Sequence, residues 1–148
     1  MEFPNRPKPR WRYIIVFIII ILAISHTAVN WYFGEKDPIV NILDNGIEIK
    51  SKYGLKVDFY DITDLSLIEK TMLDIGIGTR VGGYYGFGGA LKGAFQSNHL
   101  GTVLLFVQYK SSPTILIERF GKKDIYINFK DSKKTGALYN ELKTAIKR

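Results

Sequence analysis

Few residues in this chain are of a type and spacing that could do chemistry. His26 lies inside a long apolar run, and His99 stands beside Asn98 in a segment that reads as a turn. Neither belongs to a Ser-His-Asp or Cys-His pattern, and neither has carboxylates at metal-ligand spacing, so nucleophilic and metal chemistry have no foothold. Asp58, Asp61 and Asp64 recur evenly, but on a strand and the turn after it they read as a solvated edge instead of paired acids. Eight of the fourteen glycines fall between Gly76 and Gly93, together with Arg80 and Lys92, which invites comparison with a phosphate cradle. In Gly76-Ile-Gly78-Thr-Arg-Val81 a valine stands where a dinucleotide fingerprint needs its third glycine, and Lys92 precedes Gly93 where a P-loop lysine would follow a glycine. The chain has no cysteine, hence no thiolate and no disulfide framework. No catalytic, cofactor-binding or metal-ligating residue is assigned, and an enzyme is not indicated.

What the glycine-rich stretch does offer is contact. Tyr84, Tyr85 and Phe87, with Arg80 and Lys92 beside them, read as an exposed aromatic tip that docks a partner or dips into lipid headgroups. The plainer account is that glycines let a β-rich chain bulge, bend and cross itself tightly.

The element that places everything else is the apolar run Tyr13 to Phe33. Its 21 residues, as a helix, reach about 31 Å, one hydrocarbon core. Isoleucine and valine crowd every side of the cylinder from Ile14 to Ile24, so a core helix would need a surrounding bundle that the rest of the chain does not supply. Arg6, Lys8, Arg10 and Arg12 precede the run, and Trp31, Tyr32 and Phe33 form an aromatic belt at its far end. Residues 13–33 therefore read as a transmembrane helix in contact with the bilayer. The rival is a secretory signal peptide cut near Ala23-Ile24-Ser25, which would release a secreted protein. Apolar and aromatic residues resume from Ala28, which favours the uncleaved anchor. Residues 1–12 read as a basic cytoplasmic tail, extended by Pro4, Pro7 and Pro9 and lying against anionic lipid. The positive charge before the span, against one net negative charge over Gly34-Glu-Lys-Asp37, predicts that the remainder is carried across the membrane.

Residues 34–38 read as a short polar linker and 39–148 as one domain. Of the net charge of +7, the tail carries +3, so the remainder is only mildly basic, with lysines scattered among acidic neighbours. Nucleic-acid binding is not indicated. Ile39 to Leu43, Asp44-Asn45-Gly46 and Ile47 to Tyr53 read as a hairpin whose turn uses the positive φ angles of Asn-Gly. Strands are further predicted over Leu55 to Tyr60, Asp61 to Glu69, Thr102 to Lys110, Thr114 to Phe120 and Asp124 to Phe129. Asp131 to Lys147 reads as a helix capped by Asp131 or Ser132, with Leu138, Leu142, Ala145 and Ile146 on its core side. The plan is mainly β: about seven antiparallel strands and one closing helix.

That plan, together with Arg80-Val-Gly-Gly-Tyr-Tyr-Gly86, Leu91-Lys-Gly-Ala-Phe95, Gly101-Thr-Val103 and Pro113-Thr114, resembles the bacterial pleckstrin-homology-like domains over about Ile47 to Ile146. The resemblance implies a bent antiparallel sheet, a partial barrel, capped by the C-terminal helix, and it suits a preceding membrane segment. It implies no ligand. Eukaryotic members of the wider fold often grip inositol phosphates with a basic loop between their first two strands. Here that loop is Asp44-Asn45-Gly46, short and acidic, which disfavours phosphoinositides. The expected function is a membrane-anchored, non-enzymatic interaction module that binds a protein partner or self-assembles. The alternative is a small-ligand or lipid-binding domain using the barrel interior or a headgroup-facing tip.

Overall fold

The computed structural model describes residues 10–147 and has two compact units, Met1–Phe33 and Gly34–Arg148. Most of the expected basic tail, residues 1–9 with Arg6 and Lys8, lies outside the described residues. The first unit is helix α1, Trp11–Glu35, whose last two residues belong to the second unit. Every residue from Trp11 to Val29 is exposed, so no bundle encloses this helix among the described residues. It is long and apolar enough to cross a membrane. Two of its polar side chains turn back on their own helix: Thr27 Oγ1 donates to the Ala23 carbonyl at 2.8 Å, and Asn30 Nδ2 to the His26 carbonyl at 2.9 Å. Asn30 Nδ2 also lies 2.8 Å from His26 Nε2. Such internal satisfaction lowers the cost of placing these groups near lipid.

The second unit holds two sheets and a C-terminal helix. The first sheet is a meander of β1 (Ile39–Ile42), β2 (Gly46–Lys50) and β3 (Leu55–Asp58). A single 3-10 turn, Phe59–Asp61, leads to β4 (Ile62–Ile68), and the four-residue helix α2 (Met72–Ile75) follows. Thr71 and Asp74 cap α2 reciprocally, each side chain bonding the other's backbone N–H. Then come β5 (Thr79–Tyr85), β6 (Ala90–Ser97), β7 (Gly101–Gln108), β8 (Thr114–Arg119), β9 (Ile125–Ile127) and α3 (Ser132–Ile146). The six-stranded sheet runs β4-β8-β9-β7-β6-β5.

Strand alternation gives the large sheet two buried faces. Phe106, Ile115, Ile117, Ile125 and Ile127 pack with Ile47, Ile49 and Val57 of the small sheet and with Leu138 and Leu142 of α3. On the opposite face Val103, Leu105 and Val107 pack with Leu91, Phe95, Tyr126 and Met72. Asp131 caps α3, accepting from the Lys133 N–H at 2.9 Å. Ile146 is half-buried and finishes the predicted apolar side.

Three expectations are corrected here. The strands form two sheets, not one nearly closed barrel. They are not all antiparallel: β9 inserts between β8 and β7 and pairs parallel to β7, Leu105 opposite Tyr126. Two isoleucines and a tyrosine in so short a strand can be buried on both faces only at a central position. Finally, neither Asn45 nor Gly46 has a positive φ. Glycine is needed at Gly46 for another reason, since a Cβ there would run into the Val57 carbonyl of β3.

Candidate functional site

The register of β6 against β7 sets Lys92 opposite Phe106 and Ala90 opposite Gln108, so Lys92 and Gln108 share the face that carries the main core. A charged residue in an alternating strand normally marks the solvent side, but here Lys92 is only 2% exposed. The segment that covers it is Gly34–Pro38. Gly34 and Pro38 are buried, and Glu35 and Asp37 half-buried, so the predicted linker is part of the folded body.

Several polar groups of that segment meet groups of the sheet or of the turn after β5. Lys92 Nζ donates to the Lys36 carbonyl. Gln108 Nε2 donates to the Glu35 carbonyl at 3.2 Å and lies 3.3 Å from Asp37 Oδ1. Glu35 Oε1 accepts from Tyr84 Oη at 3.0 Å and from the Gly88 N–H at 3.1 Å. Its other oxygen, Oε2, is buried with no hydrogen-bond partner. Behind Gln108 the network continues: its N–H donates to Asn128 Oδ1 at 2.7 Å, Asn128 Nδ2 donates to Thr114 Oγ1 at 2.9 Å, and Thr114 Oγ1 donates to the Lys70 carbonyl at 3.1 Å. Buried polar groups so connected fix one arrangement of the chain.

Electrostatics follow from this burial. Desolvation holds the Lys92 ammonium below its usual value, opposed by the negative charges of Asp37 and Glu35 and reinforced by Lys130. Burial, then the hydrogen bond and charge of Glu35, push the Tyr84 phenol up to about 12.

The glycines are the counterpart of Glu35. A Cβ on Gly86 or Gly88 would overlap its carboxylate, so the turn 86–89 closes around that group only because these two positions carry no side chain. The strands leading to the turn cross closely: Gly83 faces Gly93 in register, with φ of 147° and 111°. A Cβ on Gly83 would meet the Lys92 carbonyl, and one on Gly93 the Gly82 carbonyl. The register also slips between Arg80 and Gly82, a bulge that bends the edge.

The five residues expected at an aromatic tip are thus divided. Lys92 is buried, and Tyr84 is half-buried with its hydroxyl committed to Glu35. Arg80, Tyr85 and Phe87 are exposed, Phe87 completely, and the Tyr85 ring lies 6.5 Å from that of Tyr109. Sequence reasoning missed Glu35, Asp37, Gln108 and Asn128. Each is an ordinary polar residue in a linker or at a strand end, and only the fold brings them to Lys92.

The other candidates stay apart. His99 lies in the turn after β6, Asp58 and Asp64 are exposed, and Asp61 pairs with Lys122 at 2.5 Å. Among the described residues no group of His, Asp and Glu could hold a metal ion. The arrangement around Lys92 is a latch that holds the first residues of the domain against the sheet. No family model, curated protein or solved structure matches the chain.

Proposed function

We propose that the protein is a single-pass membrane-anchored interaction module with a pleckstrin-homology-like domain, taking a protein partner or a second copy of itself. The observation that carries this is strand β5. It is an edge of the six-stranded sheet, exposed from Thr79 to Gly82, and it presents Arg80, Val81 and Tyr85 outward. An open edge offers backbone donors and acceptors to an added strand, while flanking side chains choose the partner. The C-terminal helix and small sheet packed on one face of a larger sheet support the pleckstrin-homology-like reading; the parallel β7–β9 pair is a departure from it.

The test is affinity capture of the full chain from detergent-solubilised membranes, with Arg80→Glu/Tyr85→Ala beside wild type. Loss of a partner or of self-association in the variant is the expected result. Equal recovery of every associated chain removes β5 from consideration.

Orientation follows from the charges flanking α1. With Arg10 and Arg12 and the basic residues before them on the cytoplasmic side, the domain is extracytoplasmic. Alkaline phosphatase fused after Arg148 should be active, and green fluorescent protein at the same place dark. Fluorescence without phosphatase activity reverses the topology.

A further inference from the structure

The proposed β5 surface leaves Phe87 unused, and Phe87 is fully exposed at the tip of the glycine turn. A phenylalanine so placed offers its whole ring to a covering surface. What covers it is indicated by the chain's own connectivity. Glu35 is two residues beyond Phe33, the end of the apolar run, and its carboxylate accepts from the N–H of Gly88, Phe87's neighbour. Two residues of chain plus one glutamate side chain span on the order of 15 Å at most. The Phe87 loop is therefore held within that distance of the place where the helix would leave the hydrocarbon, whichever way the domain turns. The headgroup layer and its boundary lie inside this range.

The surroundings of Phe87 agree in charge. A shallow recess beside it is lined by Gly89, Tyr109, Lys110, Ser111 and Lys130. Lys110 Nζ lies over the Tyr109 ring at 5.5 Å. Lys36, Lys110 and Lys130 are exposed; the half-buried Glu35 and Asp37 flank Lys36, and Asp131 follows Lys130. An aromatic side chain with Lys110 and Lys130 beside it is a pairing that anionic headgroups attract.

We propose that the Phe87 loop, with Lys36, Lys110 and Lys130, seats on the anionic headgroups of the same bilayer that α1 crosses. This rests on α1 spanning a membrane, and the experiment separates the two. Because the chain has no native cysteine, single nitroxide labels can be introduced at Phe87→Cys, at Phe120→Cys and at Ile20→Cys in the full chain. Phe120, 80% exposed, follows β8 at the opposite end of the strands and serves as the aqueous control. The chain is reconstituted in nanodiscs of phosphatidylcholine alone or mixed with phosphatidylglycerol, and collision with a water-soluble nickel chelate and with oxygen is measured.

The expected result is a label at 87 severalfold less accessible to nickel than that at 120, more so with phosphatidylglycerol. Lys110→Glu/Lys130→Glu should abolish the lipid dependence. A label at 87 as wet as that at 120, with the label at 20 dry, overturns the proposal and leaves the anchor standing. A wet label at 20 overturns both. Protection at 87 only in discs carrying two copies assigns the loop to self-association and overturns the lipid contact.

Discussion

Leu142→Asp should unfold the domain. Leu142 is completely buried on α3 and packs into the cluster that joins Phe106, Ile115 and Ile117 of the large sheet with Ile47 and Ile49 of the small one. Removing its side chain from that cluster and burying a carboxylate with no partner should cost on the order of 3–5 kcal/mol. For a domain of this size that lowers the melting temperature by well over about 10 °C. Thermal unfolding of the full chain in detergent, followed by near-ultraviolet circular dichroism, measures it. Glu141, one position away, is exposed, so Glu141→Ala should shift stability by less than about 0.5 kcal/mol. If Leu142→Asp melts with wild type, α3 does not carry the core.

The helix that makes this prediction was legible in the sequence because its physics is local. Asp131, followed by leucines spaced at Leu138 and Leu142, marks a start and an apolar stripe with no need of distant partners. The same holds for α1, and for β7 and β8, whose alternation survives in any sheet. Pairing was not legible. Nothing in Asp124 to Phe129 announces that β9 enters between β7 and β8, because sheet order is decided by which faces can be covered, and that is a property of the whole chain. The candidate site failed for a related reason. Lys92 occupies a position that alternation assigns to water, and Glu35 and Asp37 occupy a segment whose composition reads as linker. Each assignment is sound by itself. They change together once residues 34–38 lie across β6 and β7, where the lysine exchanges water for the Lys36 carbonyl and the negative charges of Asp37 and Glu35. The glycines could be recognised as backbone bends, but the carboxylate that Gly86 and Gly88 make room for lies more than fifty residues earlier.

Lys92 carries the second large effect. Lys92→Met keeps the volume but leaves the Lys36 carbonyl without its donor and Glu35 and Asp37 without their nearest buried positive charge. Leaving that carbonyl without its donor costs about 1–3 kcal/mol, and the loss of a positive charge beside the half-buried carboxylates adds to it. Lys92→Ala should cost more, because a cavity is added. If the orphaned carboxylate is the cause, Glu35→Gln should recover part of the loss in Lys92→Met, with a coupling of about 1–3 kcal/mol in urea unfolding of the full chain. Alkaline titration gives an independent sign. Burial lowers the Lys92 pKa below its unfolded value of 10.5, so between the two values the unfolded chain binds the extra proton and stability rises with pH. Tyr84 acts oppositely: its folded pKa of about 12 exceeds 10.0, so across that interval the native chain holds the proton and stability falls as pH rises. Wild type should therefore gain stability below 10.5 and lose it towards 12. Lys92→Met should lack the gain, and Tyr84→Phe the loss. A Lys92→Met chain as stable as wild type, with both legs of the titration intact, would mean that the lysine is a buried passenger and that Gln108 and the Gly88 N–H alone hold Glu35 in place.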